Sequence, residues 1–234
     1  MGLGRMLKAV LFDLDGTLYD RDELVRVVAG AQFDAFREHL GGVERNAFVE
    51  RVFALDAHGY KDRAALYLEV ISELGLETAL ANQLEHDFRT RYLASCDATP
   101  DTTDTLRLLK EHGLRLGVVT NGAARLQTDK LLALGLSDYF DAILISEVEG
   151  VRKPDAAIFS RALERCQIRA HETVFVGDNP EADVFGAMAA GIRPIWKRVS
   201  YWRMSDPSVP TIDLLSEILP ICLGGDDRSD GSVR

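Results

Sequence analysis

Two kinds of hydrophobic pattern divide the chain. Between Asp20 and Cys96, apolar residues recur at helical spacing, and no segment shows the pattern of a strand. Glycine-containing breaks separate four predicted helices in this part. They lie around residues 24–36, 48–53, 66–74 and 79–93. After Thr99-Pro100, helices alternate with short apolar runs, a pattern typical of a parallel sheet with right-handed crossovers.

The short apolar runs predict the strands of that sheet. One run precedes the helical part and four follow it. They are Leu7–Asp13, Leu114–Thr120, Ala142–Glu147, Thr173–Val176 and Arg193–Trp196. Helices are predicted around residues 106–109, 126–134, 155–166, 181–190 and 214–219. The pattern therefore predicts an α/β fold, with a doubly wound, Rossmann-like parallel sheet of about five strands and an inserted all-helical domain.

The same change of pattern sets the predicted domain boundaries. Residues 1–19 and 97–223 are assigned to the Rossmann-like core, and residues 20–96 to the helical insert. The polar, glycine-rich segment 224–234 is predicted to be disordered.

Composition argues against several classes of binding function and favours a cytoplasmic location. The net charge of −10, without any run of Lys and Arg, argues against binding to nucleic acid or to an anionic membrane. We expect no membrane span, because no apolar stretch approaches the required length. We also expect no signal peptide, because the short segment Met1 to Arg5 leads straight into the first predicted strand. The three cysteines form no C-x-x-C pair, which favours reduced thiols in a cytoplasmic protein. A monomer and a homodimer both stay open.

Two carboxylates lie where the first predicted strand ends. Because side chains alternate along a strand, Asp13 and Asp15 are expected to point the same way. Like charges this close require a cation between them or a bound proton. Metal binding, acid/base chemistry and a carboxylate nucleophile all suit such a pair. The alternative interpretation is a tight turn at Asp15-Gly16.

Three other strand ends also carry polar side chains that suit ligand binding. They are Thr120-Asn121-Gly122, then Lys153 before a proline, then Asp178 and Asp183. Each alone is explained by a turn, a solvated lysine or a helix start. In an open parallel sheet, however, ligands bind outside the carboxyl ends of the strands, where all four groups are expected to meet.

Together these residues predict a metal-assisted phosphate site. Asp13, Asp15, Asp178 and Asp183 would concentrate about four negative charges, which requires a hard divalent cation, and oxygen ligands of this kind suit Mg²⁺. Lys153, Thr120 and backbone N–H groups would supply the donors that a phosphoryl group needs.

The order D-x-D-G-T, T-N, K-P and G-D-x-x-x-x-D resembles the haloacid dehalogenase superfamily of aspartate-nucleophile phosphatases. The resemblance spans residues 7 to about 197. The helical insert resembles the α-helical cap that follows motif one in subfamily I. The resemblance implies a Mg²⁺-dependent hydrolase whose substrate is a small phosphorylated metabolite and whose intermediate is an aspartyl-phosphate.

The resemblance also implies roles for the site residues. Asp13 would be the nucleophile, and Asp15 would protonate the leaving oxygen and then deprotonate the attacking water. Lys153 would neutralise Asp13 and the phosphate. Thr120 would hydrogen-bond the phosphoryl group, with Asn121 and Gly122 beside it. The implied metal ligands are Asp13, the backbone carbonyl of Asp15, Asp178 and, directly or through water, Asp183.

Three alternatives remain open at this stage. A metal-independent 2-haloacid dehalogenase uses the same nucleophile, but it has no need of an acid/base at Asp15. A sugar phosphomutase keeps Asp15, yet no second phosphate clamp is recognisable in the insert. A catalytically silent interaction protein is disfavoured because all the expected catalytic residue types are present.

Two further groups of side chains are interpreted from the sequence. Lys61 and Arg63, in the most polar break of the insert, are candidates for selecting the leaving group, or belong to a solvated loop. Trp196, Tyr201 and Trp202 are interpreted as packing against the terminal helix.

Overall fold

The protein is described as a computed structural model in which residues 7–224 are placed. These residues form two compact units, one of residues 7–19 and 98–224 and one of residues 20–97. We refer to them as the sheet unit and the helical unit. Their roles as catalytic core and cap stay predictions. Residues 225–234 of the predicted tail lie outside the described part.

The sheet unit is built on six parallel strands. They are β1 (Ala9–Phe12), β2 (Arg115–Thr120), β3 (Ala142–Ile145), β4 (Thr173–Gly177), β5 (Arg193–Lys197) and β6 (Thr211–Ile212). Their spatial order is β3-β2-β1-β4-β5-β6, so the order reverses between β1 and β4. This arrangement confirms the predicted doubly wound sheet, and it puts the ends of β1 and β4 at the topological switch point. The short strand β6 is additional to the five predicted strands.

Full burial explains the apolar composition of the central strands. All four residues of β1 and all five of β4 are buried, as expected for a parallel sheet that helices cover on both faces. Phe12 pairs in register with Val118 on one side and with Val176 on the other. Phe175 of β4 meets Phe159 edge to face, with ring centroids 5.0 Å apart.

The helices of the sheet unit alternate with the strands as predicted, and one additional short helix begins directly after β3, where the strand was predicted to continue to Glu147. They are α5 (Pro100–Glu111), α6 (Ala124–Ala133), α7 (Ser146–Glu149), α8 (Ala156–Cys166), α9 (Gly186–Ala189) and α10 (Ile218–Leu223). Local signals set where they begin. Thr99 caps α5 ahead of Pro100, and Asp155 caps α8. The helix predicted over residues 181–190 is split, because a wider π-helical turn, Pro180–Phe185, precedes α9.

The helical unit contains the four predicted helices. They are α1 (Arg21–Phe36), α2 (Arg45–Asp56), α3 (Arg63–Glu73) and α4 (Ala79–Ala94). Asp20 caps α1 by accepting a hydrogen bond from the backbone N–H of Glu23. Buried side chains such as Phe48, Tyr67 and Leu84 fill the space between the helices. Within residues 7–224, no helix has both the length and the apolar character that a membrane crossing requires.

Candidate active site

Asp13 lies directly after β1 and is buried among its partners. Its backbone N–H donates to the Val176 carbonyl over 2.9 Å, which extends the pairing of β1 with β4 by one residue. Its Oδ1 lies 2.6 Å from the Lys153 Nζ, and its Oδ2 accepts a hydrogen bond from Thr17. The carboxylate therefore has a fixed orientation at the switch point of the sheet.

Asp178 and Asp183 join Asp13 in a buried carboxylate triad. One carboxylate oxygen of each residue lies within 4.8 Å of those of the other two. Asp178 directly follows β4, and Asp183 comes from the π-helical turn, where its Oδ2 accepts from the backbone N–H of Asn179. Gly177 allows this approach, since a Cβ there would lie 2.5 Å from Asp183. A set of three oxygen ligands fits a hard divalent cation such as Mg²⁺.

A single lysine faces this triad. The Lys153 Nζ lies 2.6 Å from Asp13 and 2.7 Å from Asp183, and only 2 % of its side chain is exposed. Burial alone would lower the pKa of Lys153, but the charges of Asp13 and Asp183 outweigh it and raise that pKa above its ordinary value. The lysine is therefore charged at neutral pH, and it contacts two of the three carboxylates.

Burial and the neighbouring carboxylates raise the pKa values of two members of the triad. Burial, with the neighbouring Asp183 and Asp15 adding to it and Lys153 opposing it, raises the pKa of Asp13 to about 7. Burial and the charges of Asp13 and Asp183 raise the pKa of Asp178 well above its ordinary value. Burial is the largest cause of both shifts and the neighbouring carboxylates add to it, so a divalent cation bound here would favour the ionised forms.

The carboxylate of Asp15 lies outside the triad and has its own set of donors. The Lys130 Nζ lies 2.6 Å from its Oδ1, and the Gln127 Nε2 donates to its Oδ2 over 2.8 Å. The hydroxyl of Tyr19 donates to Oδ1 as well. The four carboxylates predicted to cluster are thus a triad and a separate ion pair. The main chain turns between them at Gly16, whose φ of 85° favours glycine.

The residues after β2 have partners within the site. Thr120 is buried, and its Oγ1 accepts a hydrogen bond from Gln127 over 2.5 Å. The side chain of Asn121 accepts from the Lys153 backbone N–H and donates to the Lys153 carbonyl, at 2.9 and 3.0 Å. The Gly122 N–H donates to the Ser146 hydroxyl. Asn121 therefore fixes the backbone of Lys153 here, whereas the predicted phosphate contacts of Asn121 and Gly122 stay predictions.

Sequence reasoning missed several side chains that contact the predicted site residues. Gln127 and Lys130 are three residues apart and share one face of α6, so their spacing after the T-N motif was an available signal. Tyr201 was interpreted only as a packing residue, but its hydroxyl donates to the Asp178 Oδ2 over 3.1 Å. The indole N–H of Trp196 donates to the Asp178 carbonyl, and its ring packs with Val184.

Lys61 and Arg63 both have partners inside the helical unit. Lys61 pairs with Glu69. Arg63 lies 2.6 Å from Asp56 and stacks over the ring of Phe88 at 4.0 Å. These contacts give both residues a structural role, and their selection of a leaving group stays a prediction.

Comparison with known proteins shows the family to which this chain belongs. Residues 7–191 match the haloacid dehalogenase-like hydrolases. The chain belongs to the haloacid dehalogenase-like hydrolase family. The match includes Asp13, Asp15, Lys153 and the whole triad, so the resemblance read from the motifs is confirmed; the assignment of the helical insert to a particular cap subfamily stays a prediction.

Relatives of this hydrolase include named phosphatases. It is 31% identical to a ribulose-1,5-bisphosphate 5-phosphatase from Halopiger xanaduensis, over 92% of this chain and 100% of the relative. It is 32% identical to a glyceraldehyde 3-phosphate phosphatase from Methanopyrus kandleri, over 89% and 93%. A solved 2-haloacid dehalogenase from Pseudomonas syringae pv. Tomato DC3000 is 30% identical, with a TM-score of 0.61 over 93% and 98%. The relatives therefore include proteins named as phosphatases and a protein named as a dehalogenase.

Proposed function

We propose that this hydrolase cleaves phosphate monoesters of small metabolites, using Mg²⁺ and an aspartyl-phosphate intermediate on Asp13. The observation that carries the proposal is the buried triad of Asp13, Asp178 and Asp183 around one lysine, with Asp15 next to it. The names of two relatives support a small phosphorylated substrate. The sheet unit would be the catalytic core and the helical unit the cap. Three buried, free cysteines agree with a cytoplasmic setting.

In the first step, an oxygen of Asp13 attacks the phosphorus of the ester. The new O–P bond forms as the bond between phosphorus and the leaving oxygen breaks, and Asp15 gives that oxygen its proton. The ionised carboxylate of Asp13 is already a nucleophile and needs no base to activate it. Lys153, at 2.6 Å, offsets part of the repulsion between this carboxylate and the phosphate. The products are an aspartyl-phosphate and the free alcohol.

In the second step, a water attacks the same phosphorus. Asp15 takes a proton from that water, the bond between Asp13 and phosphorus breaks, and inorganic phosphate leaves. The enzyme returns to its starting state, with the proton back on Asp15. Thr120, whose hydroxyl lies at the end of β2, is the side chain proposed to hydrogen-bond the phosphoryl group in both steps.

Asp13, Asp178 and Asp183, with the backbone carbonyl of Asp15, are the groups proposed to hold Mg²⁺. The cation would supply charge neutralisation for the phosphoryl oxygens during transfer. This proposal agrees with the oxygen-only donor set and with the raised pKa values of Asp13 and Asp178.

Asp15 favours the phosphatase over the dehalogenase named among the structural relatives. Lys130, Gln127 and Tyr19 all contact the carboxylate of Asp15 and fix its position in the site. An alkyl halide has no leaving oxygen to protonate, so dehalogenation has no use for an acid at this position in its first step.

The proposed activity is tested by phosphate release from a panel of phosphorylated metabolites, with and without Mg²⁺. We expect release that depends on Mg²⁺ and stops with EDTA. Release that survives EDTA would contradict the metal requirement. Halide release from haloacetate without metal would assign the protein to the dehalogenase branch, and transfer to a sugar without net release would assign it to the mutases.

Tyr201→Phe is expected to weaken metal binding about 10- to 100-fold, because the hydroxyl that orients Asp178 is lost while the ring is kept. Binding of Mn²⁺, as a paramagnetic substitute for Mg²⁺, is measured by electron paramagnetic resonance and needs no substrate. Tyr139→Phe, which removes a hydroxyl elsewhere in the sheet unit, is the matched control. An unchanged affinity in Tyr201→Phe would contradict a role of Tyr201 in holding Asp178.

A further inference from the structure

A buried lysine and a buried glutamine of α6 both contact Asp15. Lys130 has 7 % of its side chain exposed, and its Nζ lies 2.6 Å from the Asp15 Oδ1. Gln127, one turn earlier, donates to the Asp15 Oδ2 over 2.8 Å and also reaches the Thr120 hydroxyl. The two oxygens of one carboxylate are therefore held by two side chains from a single helix.

Packing alone does not account for Lys130. A buried ammonium group loses its hydration, and an apolar side chain of similar volume fills a helix interface without that penalty. The loss is offset only where a carboxylate with good geometry lies opposite, as Asp15 does here. Lys153 is engaged with Asp13 and Asp183 instead, so the site has one lysine for the triad and another for Asp15.

We propose that Lys130, together with Gln127, is a positioning residue for Asp15. An acid/base group works only within hydrogen-bond reach of the proton that it moves, and a misplacement of about 1 Å lowers a rate about 10²-fold. Asp15 lies beyond the end of β1, where it forms only an isolated bridge with Tyr19 among the described residues and accepts a hydrogen bond from the Tyr19 hydroxyl. Two donors on a rigid helix add to that contact and hold both carboxylate oxygens. The inference rests on the proposed function, since it assigns Asp15 the acid/base role.

Lys130→Met tests the inference in a double-mutant cycle with Asp15→Asn. We expect Lys130→Met to lower kcat about 10- to 100-fold while KM changes by less than about twofold, because Lys130 acts through Asp15. In the Asp15→Asn background the same substitution is expected to change kcat by less than about twofold. Lys130→Arg, which keeps a cation, is expected to recover most of the rate.

The dependence of kcat on the acidity of the leaving alcohol is a second readout, which would not change if Lys130 had only a structural role. Both Lys130→Met and Asp15→Asn are expected to slow esters of poorly acidic alcohols more than esters of acidic phenols, because the latter need little protonation. Arg125→Met is the matched control: this residue lies on the same helix with 95% of its side chain exposed, so its rates should be unchanged.

Specific outcomes overturn the inference. An unchanged kcat in Lys130→Met would exclude positioning through Asp15. The same would follow if Lys130→Met lowered kcat equally in the wild-type and the Asp15→Asn backgrounds. If Lys130→Met does not fold, as judged by circular dichroism, the cycle is run with Lys130→Gln and the same criteria apply. A wild-type protein without Mg²⁺-dependent phosphate release would instead refute the proposed function, and the inference with it. If the wild type is active, Asp15→Asn is inactive and Lys130→Met keeps full activity, the inference is refuted but the proposed function is not.

Discussion

Asp13→Asn is expected to abolish phosphate release, with a loss of kcat of at least about 10³-fold, as for other enzymes that lose their nucleophile. The amide keeps the size of the carboxylate but is not nucleophilic, and Lys153 then faces a neutral group at 2.6 Å. The substitution is not expected to unfold the protein, because burial has already raised the pKa of Asp13 to about 7 and a neutral side chain is accepted there.

Phosphate release and thermal unfolding measured on the same preparation separate these two effects. Asp104→Asn is the matched control, since this aspartate lies on α5 with 65% of its side chain exposed and should keep full activity. Substantial turnover in Asp13→Asn, at more than about a tenth of the wild-type rate, would contradict nucleophilic catalysis by Asp13.

Asp56→Asn is expected to destabilise the helical unit by roughly 3–5 kcal/mol. Asp56 is completely buried and lies 2.6 Å from both Arg21 and Arg63, and it also accepts from the Gly59 backbone N–H. Arg21 begins α1, Asp56 ends α2 and Arg63 begins α3, so one carboxylate joins three helices. The amide would remove the carboxylate charge that lies 2.6 Å from each of the two guanidinium groups.

Denaturant unfolding and hydrogen exchange over residues 20–97 measure this loss. Asp34→Asn is the control, because Asp34 pairs with Arg45 only at the surface and should change stability by less than about 1 kcal/mol. Equal stability of Asp56→Asn and Asp34→Asn would show that the buried cluster does not hold the helices together.

The same cluster predicts a dependence on pH. Burial alone would raise the pKa of Asp56, but Arg21 and Arg63 outweigh it and hold the pKa below its ordinary value. A depressed carboxyl pKa stabilises the folded state above the unfolded pKa of about 4 and loses that contribution as the pH falls further. Protection of α1 and α3 in the wild type is therefore expected to fall on acidification below about pH 4.

The sheet and the residues at its strand ends could be predicted because their signals are local. A continuous apolar run identifies a strand that is buried on both faces, and the residues after it reach one sheet edge whatever the details of packing. Asp13, Lys153 and Asp178 were found in this way. The triad follows from parallel topology, since β1 and β4 are neighbours in the sheet.

The partners of these residues could not be predicted in the same way. The alternation of side chains along a strand predicts their direction only as far as the strand is paired, and β1 ends at Phe12. The contact between Asp15 and Lys130 therefore could not be predicted from this alternation. Tyr201 lies in a loop after β5 and reaches Asp178 through tertiary structure alone. Strand β6 has two residues, too few for a hydrophobic period.

The central claim is that phosphate is transferred to Asp13, and acid quenching during turnover tests it most directly. A substrate from the panel is mixed with the enzyme and Mg²⁺, the reaction is stopped with acid, and the peptides are analysed by mass spectrometry. The account predicts one added phosphoryl group on the peptide that contains Asp13, and none in Asp13→Asn. Turnover without any phosphorylated Asp13 peptide, in wild type and in the slowed Asp15→Asn variant alike, would contradict it.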